Sequence, residues 1–199
     1  MRPFYRFAYK IVEAVTLNLF HARIEGRENV PMGGCLVVSN HVSFMDPTTV
    51  GLAIGREMYF LARKTLFKPP IMHWLLPHCN SLPIDRDNAD LPGLRRIITM
   101  LKDGEMVLLF PEGTRSPDGS LQPAESGAGF IACKAQVPIL PVRLFGTYEA
   151  LSRHHKMLTY HPIRIVIGKP FLPPSGKGLG KEDYEALAKR MMDEIGKLE

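Results

Sequence analysis

The chain has 199 residues, 45% hydrophobic and 23% charged, enough for one domain, or one domain with a short appendage, around a proper core. Its 25 basic and 20 acidic residues leave a net charge of +5, which suits an anionic partner, but no lysine or arginine run and no RNA-binding signature points to nucleic acid. Three scattered cysteines, Cys35, Cys79 and Cys133, read as reduced thiols and exclude a disulfide frame or zinc site. No apolar run approaches the roughly 20 residues of a membrane-spanning helix and no signal cleavage site follows the N-terminus, so the chain is expected to lie on a bilayer if it meets one.

From Pro3 to Phe20 the apolar positions Phe4, Phe7, Ala8, Ile11, Val12, Val15 and Leu19 recur with a helical period, while Arg2, Arg6 and Lys10 step by four along another face. Two readings are open: a helix packed on the core with solvated charges, or an amphipathic helix at the interface of an anionic membrane. Ala22 to Glu25 predicts a strand and Gly26 to Pro31 a turn. Cys35-Leu36-Val37-Val38-Ser39 then has the composition of a buried strand. Asp46-Pro47 reads as a helix start, aspartate being a preferred cap and proline fitting the first helical position, with the helix continuing to Ile54.

Between strand and helix lies Asn40-His41-Val42-Ser43-Phe44-Met45. On a continuous helix the spacing of His41 and Asp46 would set them about 140° apart, so contact needs a loop that folds back. There the carboxylate could hold imidazole Nδ1 and stabilise the imidazolium formed when Nε2 takes a proton. The plainer alternative is a helix cap beside a loop histidine.

Glu57 to Ala62 predicts another buried strand, ending in Arg63-Lys64. Thr65 to Pro77, with Trp74 among Phe67, Ile71, Met72, Leu75 and Leu76, suits a surface helix packed on the core, or the lid or wall of an acyl pocket. Ser81 to Arg86 is extended with a basic end, and Asp90 to Lys102 is the clearest helix, striped by Leu91, Leu94, Ile97, Ile98 and Leu101 and ended by Asp103-Gly104. Met106 to Phe110 is a fully apolar strand followed by Pro111-Glu112-Gly113-Thr114-Arg115-Ser116. A helix from near Ala124 to Ala135, strands over Val137 to Phe145 and Ile163 to Ile167, and an amphipathic helix from Lys181 to Leu198 follow. The alternation argues for an α/β fold: a mixed, mostly parallel central sheet of about seven strands flanked by helices.

Ligands of open α/β sheets gather at the carboxyl ends of strands, where both the His41 loop and the Pro111 to Ser116 loop fall. Gly113 permits close backbone approach, Thr114 can donate, and the Arg115 guanidinium offers a fork matched to phosphate oxygens, with Arg86 and Lys64 as further candidates for the same anion. A solvent-exposed turn is the alternative. Glu112 cannot favour a dianion directly, so it is expected to orient an arginine or accept from a backbone donor.

These blocks resemble the glycerolipid acyltransferases of the lysophosphatidic acid acyltransferase type. Asn40-His41-Val42-Ser43-Phe44-Met45-Asp46 is similar to that family's N-H-x-S-x-x-D, and Phe110-Pro111-Glu112-Gly113-Thr114-Arg115-Ser116 is identical to its F-P-E-G-T-R-S. Pro83-Ile84-Asp85-Arg86 resembles the middle block, with Asn80 where glycine is frequent, and Val137 to Val142 the final proline-rich strand. The resemblance implies His41 as general base and Asp46 as its orienting partner. It implies an acceptor-phosphate site of Arg86, Glu112, Gly113, Thr114 and Arg115, with Lys64 and Ser43 as accessory candidates, and no metal or cofactor. The oxyanion donors are open between backbone N–H groups around Val42 to Phe44 and a side chain such as Lys64. The implied reaction moves a fatty acyl group from acyl-CoA or acyl carrier protein to the sn-2 hydroxyl of 1-acyl-sn-glycerol 3-phosphate, giving phosphatidic acid in phospholipid biosynthesis. Another lysolipid or glycerol 3-phosphate is the alternative acceptor. Residues 1–20 are then a membrane-interface helix and 21–199 the acyltransferase domain, peripheral on an anionic membrane at its cytoplasmic face.

Three other classes compete: a metal-dependent hydrolase using His41, Asp46, Glu112 and a further histidine such as His78, a thioesterase-like enzyme with a cysteine nucleophile beside His41, and a non-catalytic membrane-binding module. The histidine and carboxylate spacing matches no zinc pattern, and Cys35 and Cys133 fall inside a predicted strand and helix, where burial is expected.

Overall fold

The β2 strand, Cys35–Ser39, has every residue buried, and the other strands are laid out on either side of it. In the computed structural model, which describes residues 1–85, 90–155, 157–176 and 178–199, the sheet has seven strands in the order β1-β7-β6-β2-β5-β3-β4. These are β1 Arg23–Glu25, β3 Tyr59–Arg63, β4 Ser81–Ile84, β5 Met106–Leu109, β6 Ile139–Phe145 and β7 Arg164–Ile167. Only the β6–β7 pair is antiparallel, so the expectation of a mixed, mostly parallel sheet of about seven strands holds.

Because successive strand residues point to opposite faces, Leu36 and Val38 pack into one layer and Cys35 and Val37 into the other. The first layer is closed by α4 (Leu91–Lys102), α5 (Ser126–Ala135) and α7 (Lys181–Gly196). Gly129 lets the Tyr184 carbonyl of α7 lie against α5 where any Cβ would collide with it. The second is closed by α2 (Asp46–Ile54), α6 (Thr147–Leu151), Phe20 and Met58. The short α6 is absent from the sequence reading because five residues are too few to show a helical period.

The N-terminal helix α1 (Pro3–Ala14), prolonged by a wider π-helical turn over Val15–Leu19, lies on α2, with Tyr5 buried, stacked on Phe60, and the Tyr9 hydroxyl donating to the Leu52 carbonyl at 3.2 Å. Its apolar positions do not all face the protein. Ala8 and Val12 are half-buried, while Phe7, Ile11, Val15 and Leu19 are exposed. Thr65 to Pro77 is the surface helix that its composition suggests: a 3₁₀ turn over Lys64–Phe67 precedes α3 (Pro70–His78), with Met72, Leu75 and Leu76 half-buried and no residue of α3 fully buried. Asn80 has φ 57°, the left-handed geometry that asparagine tolerates. Among the described residues no helix is long and apolar enough to cross a membrane.

One side chain ties the end of β2 to β6. The buried Asn40 amide donates from Nδ2 to the Leu144 carbonyl at 3.1 Å and accepts at Oδ1 from the Leu144 N–H at 2.8 Å, replacing the backbone pairing lost where β2 ends. Asn40→Ala strands both groups in the interior, and urea unfolding is expected to show a loss of about 2–4 kcal/mol.

Candidate active site

β2 and β5 run parallel in the register Val38 to Leu109, so the loops that leave them emerge side by side. The chain turns back after His41 and brings Asp46 under it. The Asp46 Oδ2 oxygen, fully buried, lies 2.8 Å from His41 Nδ1 and accepts from the Val42 and Ser43 N–H groups, each at 2.7 Å. The two readings of this carboxylate are thereby decided in part. Asp46 is the first residue of α2, with Met45 at the cap position, and no side chain caps the helix. It faces upstream and fastens the loop that carries the histidine.

Of the two alternatives left open for the oxyanion donors, the Val42 to Phe44 amides are already engaged. Val42 and Ser43 give their N–H groups to Asp46, and Phe44 gives its own to the Leu151 carbonyl at 3.3 Å. Ser43, an accessory candidate, is engaged too: its buried hydroxyl donates to the Leu151 carbonyl at 2.7 Å and accepts from the Met45 N–H at 3.1 Å, pinning the loop to the end of α6.

Glu112 faces the same loop from β5. Its Oε1 accepts from the His41 N–H at 2.9 Å and its Oε2 from the Gln122 N–H at 3.3 Å, which is the backbone-acceptor alternative of the sequence reading. Returning the contact, the Ser116 N–H donates to the His41 carbonyl at 2.7 Å. Phe110 stacks on the imidazole with ring centres 3.9 Å apart. Both edges of the histidine's peptide and one face of its ring are thus fixed by the second loop. Gly113 has φ 68°, the left-handed backbone that favours glycine, and this turns the chain between Glu112 and Thr114.

A cavity of about 510 Å³ opens beside the Pro111 to Ser116 loop. Gly113, Thr114, Arg63 and the carboxylates Asp85, Asp90, Glu112 and Glu125 line its polar part, and Leu61, Ile84, Leu94 and Ile131 its apolar part. No residue of the His41 loop lines it, and Phe110, which belongs to its wall and stacks on His41, is the link between the two. Arg115 takes a different direction. Its guanidinium lies 3.5 Å over the Phe44 ring, and its Nη1 is buried without a hydrogen-bond partner among the described residues. Burial, with Arg153 and Arg63 nearby, holds its pKa below the ordinary arginine value. Arg153 donates to the Arg115 carbonyl at 3.2 Å. Lys64 is exposed at the start of the turn after β3, next to Arg63. Arg86 lies outside the described residues.

Phe44, Phe110, Arg63 and Arg153 are site residues that spacing alone did not pick out. The two aromatics sit inside the quoted motif blocks, but nothing in a one-dimensional pattern says that they carry the guanidinium and the imidazole. Among the described residues no three of histidine, cysteine, aspartate and glutamate come together as a metal-ligand set. Burial pushes the Cys35 thiol up to about 12, which disarms it as a nucleophile.

The geometry defines an α/β domain with a histidine–carboxylate pair at the carboxyl edge of its sheet, near a cavity that is apolar at one end and polar, with charges of both signs, at the other. Residues 21–144 match the family model described as Acyltransferase. The chloroplastic 1-acyl-sn-glycerol-3-phosphate acyltransferase of Brassica napus is 32% identical over 196 residues, covering 96% of this chain and 57% of that protein. The Bacillus subtilis protein of the same name is 25% identical, covering 98% of this chain and 96% of that one. The crystal structure of the 1-acyl-sn-glycerophosphate (LPA) acyltransferase PlsC from Thermotoga maritima superposes with a TM-score of 0.74 at 30% identity, over 99% of this chain and 84% of that chain. The chain belongs to the acyltransferase family. It spans little more than half the length of the Brassica napus relative, 57%, and of the chloroplastic 1-acyl-sn-glycerol-3-phosphate acyltransferase LPAT1 of Arabidopsis thaliana, 55%.

Burial raises the Glu112 carboxyl to about 7 from an ordinary 4.5, against the lowering effect of its two backbone donors. The folded state therefore holds a proton that the unfolded chain releases. The stabilisation is full below the unfolded value and is lost as pH rises from 4.5 to about 7. The difference in stability between the native chain and Glu112→Gln, measured by urea unfolding across that range, is expected to change by on the order of 3 kcal/mol, with the native chain losing more as pH rises.

Proposed function

We propose that the chain transfers a fatty acyl group from an acyl thioester, on coenzyme A or acyl carrier protein, to the sn-2 hydroxyl of 1-acyl-sn-glycerol 3-phosphate, producing phosphatidic acid. The observation that carries this reading is the 2.8 Å contact of His41 Nδ1 with Asp46, which leaves Nε2 as the nitrogen that meets the substrate. Nε2 takes the hydroxyl proton as the oxygen attacks the thioester carbonyl. The tetrahedral intermediate collapses with cleavage of the C–S bond, and the imidazolium gives its proton to the departing sulfur, so that the carrier leaves as a free thiol and His41 returns to its neutral form. No covalent acyl-enzyme is needed.

The acceptor phosphate is assigned to the polar side of the site, where Gly113 and Thr114 line the cavity and Arg115 lies close by. An acyl chain suits the apolar part lined by Leu61, Ile84, Leu94 and Ile131. A lipid acceptor also accounts for α1, whose exposed Phe7 and Ile11, beside the exposed cations Arg6 and Lys10, suit a peripheral position on an anionic membrane.

His41→Ala and Asp46→Asn are each expected to lower kcat by about 10²–10⁴, measured as phosphatidic acid formed by mass from 1-acylglycerol 3-phosphate and acyl-CoA. Turnover equal to that of the native chain would sink the reading. Arg115→Ala is expected to raise KM for the acceptor about tenfold or more and to change that for the thioester far less, as the loss of a charge-assisted phosphate contact requires. Equal effects on both substrates would remove Arg115 from the phosphate site.

A further inference from the structure

The helix α3 and the turn before it are unlike any other surface of the molecule. Apart from His73 and His78, α3 contains only apolar residues, yet none of its residues is buried. Ile71 is 68% exposed, Trp74 55%, and Leu66 in the preceding turn 53%. A helix that is apolar on every side belongs in a core or in lipid, and α3 is not in the core. It is also not isolated. The Phe4 ring of α1 meets Trp74 edge-on at 5.3 Å and His78 at 5.4 Å. Phe4 stands in the stripe that continues along α1 as Phe7, Ile11 and Val15, the last three exposed. The two apolar surfaces are therefore joined at Phe4.

Charge identifies the occupant. Residues 1–12 and 58–84 contain no aspartate or glutamate, and they place exposed Arg6, Lys10, Arg63, Lys64 and Lys68 around the apolar residues. Glu13, paired with Lys10, and Glu57, paired with Arg2 and the N-terminal amine, are the acidic groups at its border. An apolar surface with such an excess of cations around it is complementary to an anionic bilayer interface, where chains are buried and headgroups meet lysine and arginine. It is continuous with the site, because Arg63 lines the cavity and Lys64 begins the turn that leads to α3.

We propose that α3 and the Lys64–Phe67 turn are a second membrane-contact element, inserting Leu66, Ile71 and Trp74 into an anionic bilayer beside α1, with the cavity mouth held at the lipid surface. The proposal rests on the reading that the acceptor is a lipid, and it adds an element to which the N-terminal helix alone gives no access.

The chain contains a single tryptophan, Trp74, so its fluorescence reports on α3 without any substitution. With vesicles of phosphatidylglycerol and phosphatidylcholine, the full chain should show a blue-shifted emission, several-fold weaker quenching by acrylamide, and quenching by lipids brominated on their acyl chains. Ile71→Glu, at a position that contributes nothing to the core, should weaken co-sedimentation with these vesicles at least about tenfold while leaving turnover of a short-chain, monomerically dissolved acceptor intact. Co-sedimentation with unchanged Trp74 emission and acrylamide quenching would overturn the proposal, since α1 would then dock alone, and would leave the acyl-transfer reading standing. Failure to co-sediment would overturn it too, as would a concentration-dependent blue shift without lipid, which would make a second copy of the chain the occupant. Absence of turnover on every acceptor, with the Trp74 shift intact, would instead count against the reaction.

Discussion

The site depends on one carboxylate oxygen. Asp46 Oδ2 gathers three donors, two backbone amides at 2.7 Å and the imidazole at 2.8 Å, at a position with no solvent exposure. A buried carboxylate is tolerated only when its charge is met by hydrogen bonds, and here the group that meets it is the loop itself. Folding this loop and orienting the base are therefore the same event. The amides bring His41 back over the start of α2, and the carboxylate in turn fixes which ring nitrogen faces outward.

Glu112 applies a similar constraint from the neighbouring strand with the opposite electrostatic outcome. Both carboxylates hold backbone N–H groups of the His41 loop, but Glu112 has only two, at 2.9 and 3.3 Å, and no cation is hydrogen-bonded to it among the described residues. Desolvation then wins, and the proximity of the Asp46 charge pushes in the same direction, so its carboxyl titrates at about 7. Asp46 holds the imidazole, and Glu112 holds the main chain of the same residue.

Much of this was legible in the sequence because strand burial, strand-to-helix joints and the order of the motif blocks are local signals. The β2 strand, His41 at its exit and the glycine turn at Gly113 all follow from residues within a few positions of one another. What stayed hidden is decided by packing across the sheet. Asp46 has two readings in the sequence, helix cap or partner of His41 through a returned loop, and only packing shows its oxygen pointing upstream. The amides of Val42 to Phe44 look available until Asp46 and Leu151 are seen to take them. The α6 helix, whose last residue accepts from Ser43 and Phe44, is too short to announce itself. The pattern of α3 gives a surface helix but not what its outer side meets, because periodicity cannot tell water from an apolar phase.

The arginines divide along the same line. Arg115 lies over the Phe44 ring, and burial first, then the nearby guanidiniums of Arg153 and Arg63, lower its pKa while the Asp46 charge raises it. Like charges held this close cost free energy in the empty site, and an anion placed among them recovers it. Phe44 lowers that cost by offering a π-face in place of water, as a cation over an aromatic ring does. On the proposed reading the His41 loop contributes to both halves of the site: His41 would take the proton, and three residues further on Phe44 supports the cation that the acceptor's phosphate would meet, so a change in the loop that moved one would move the other.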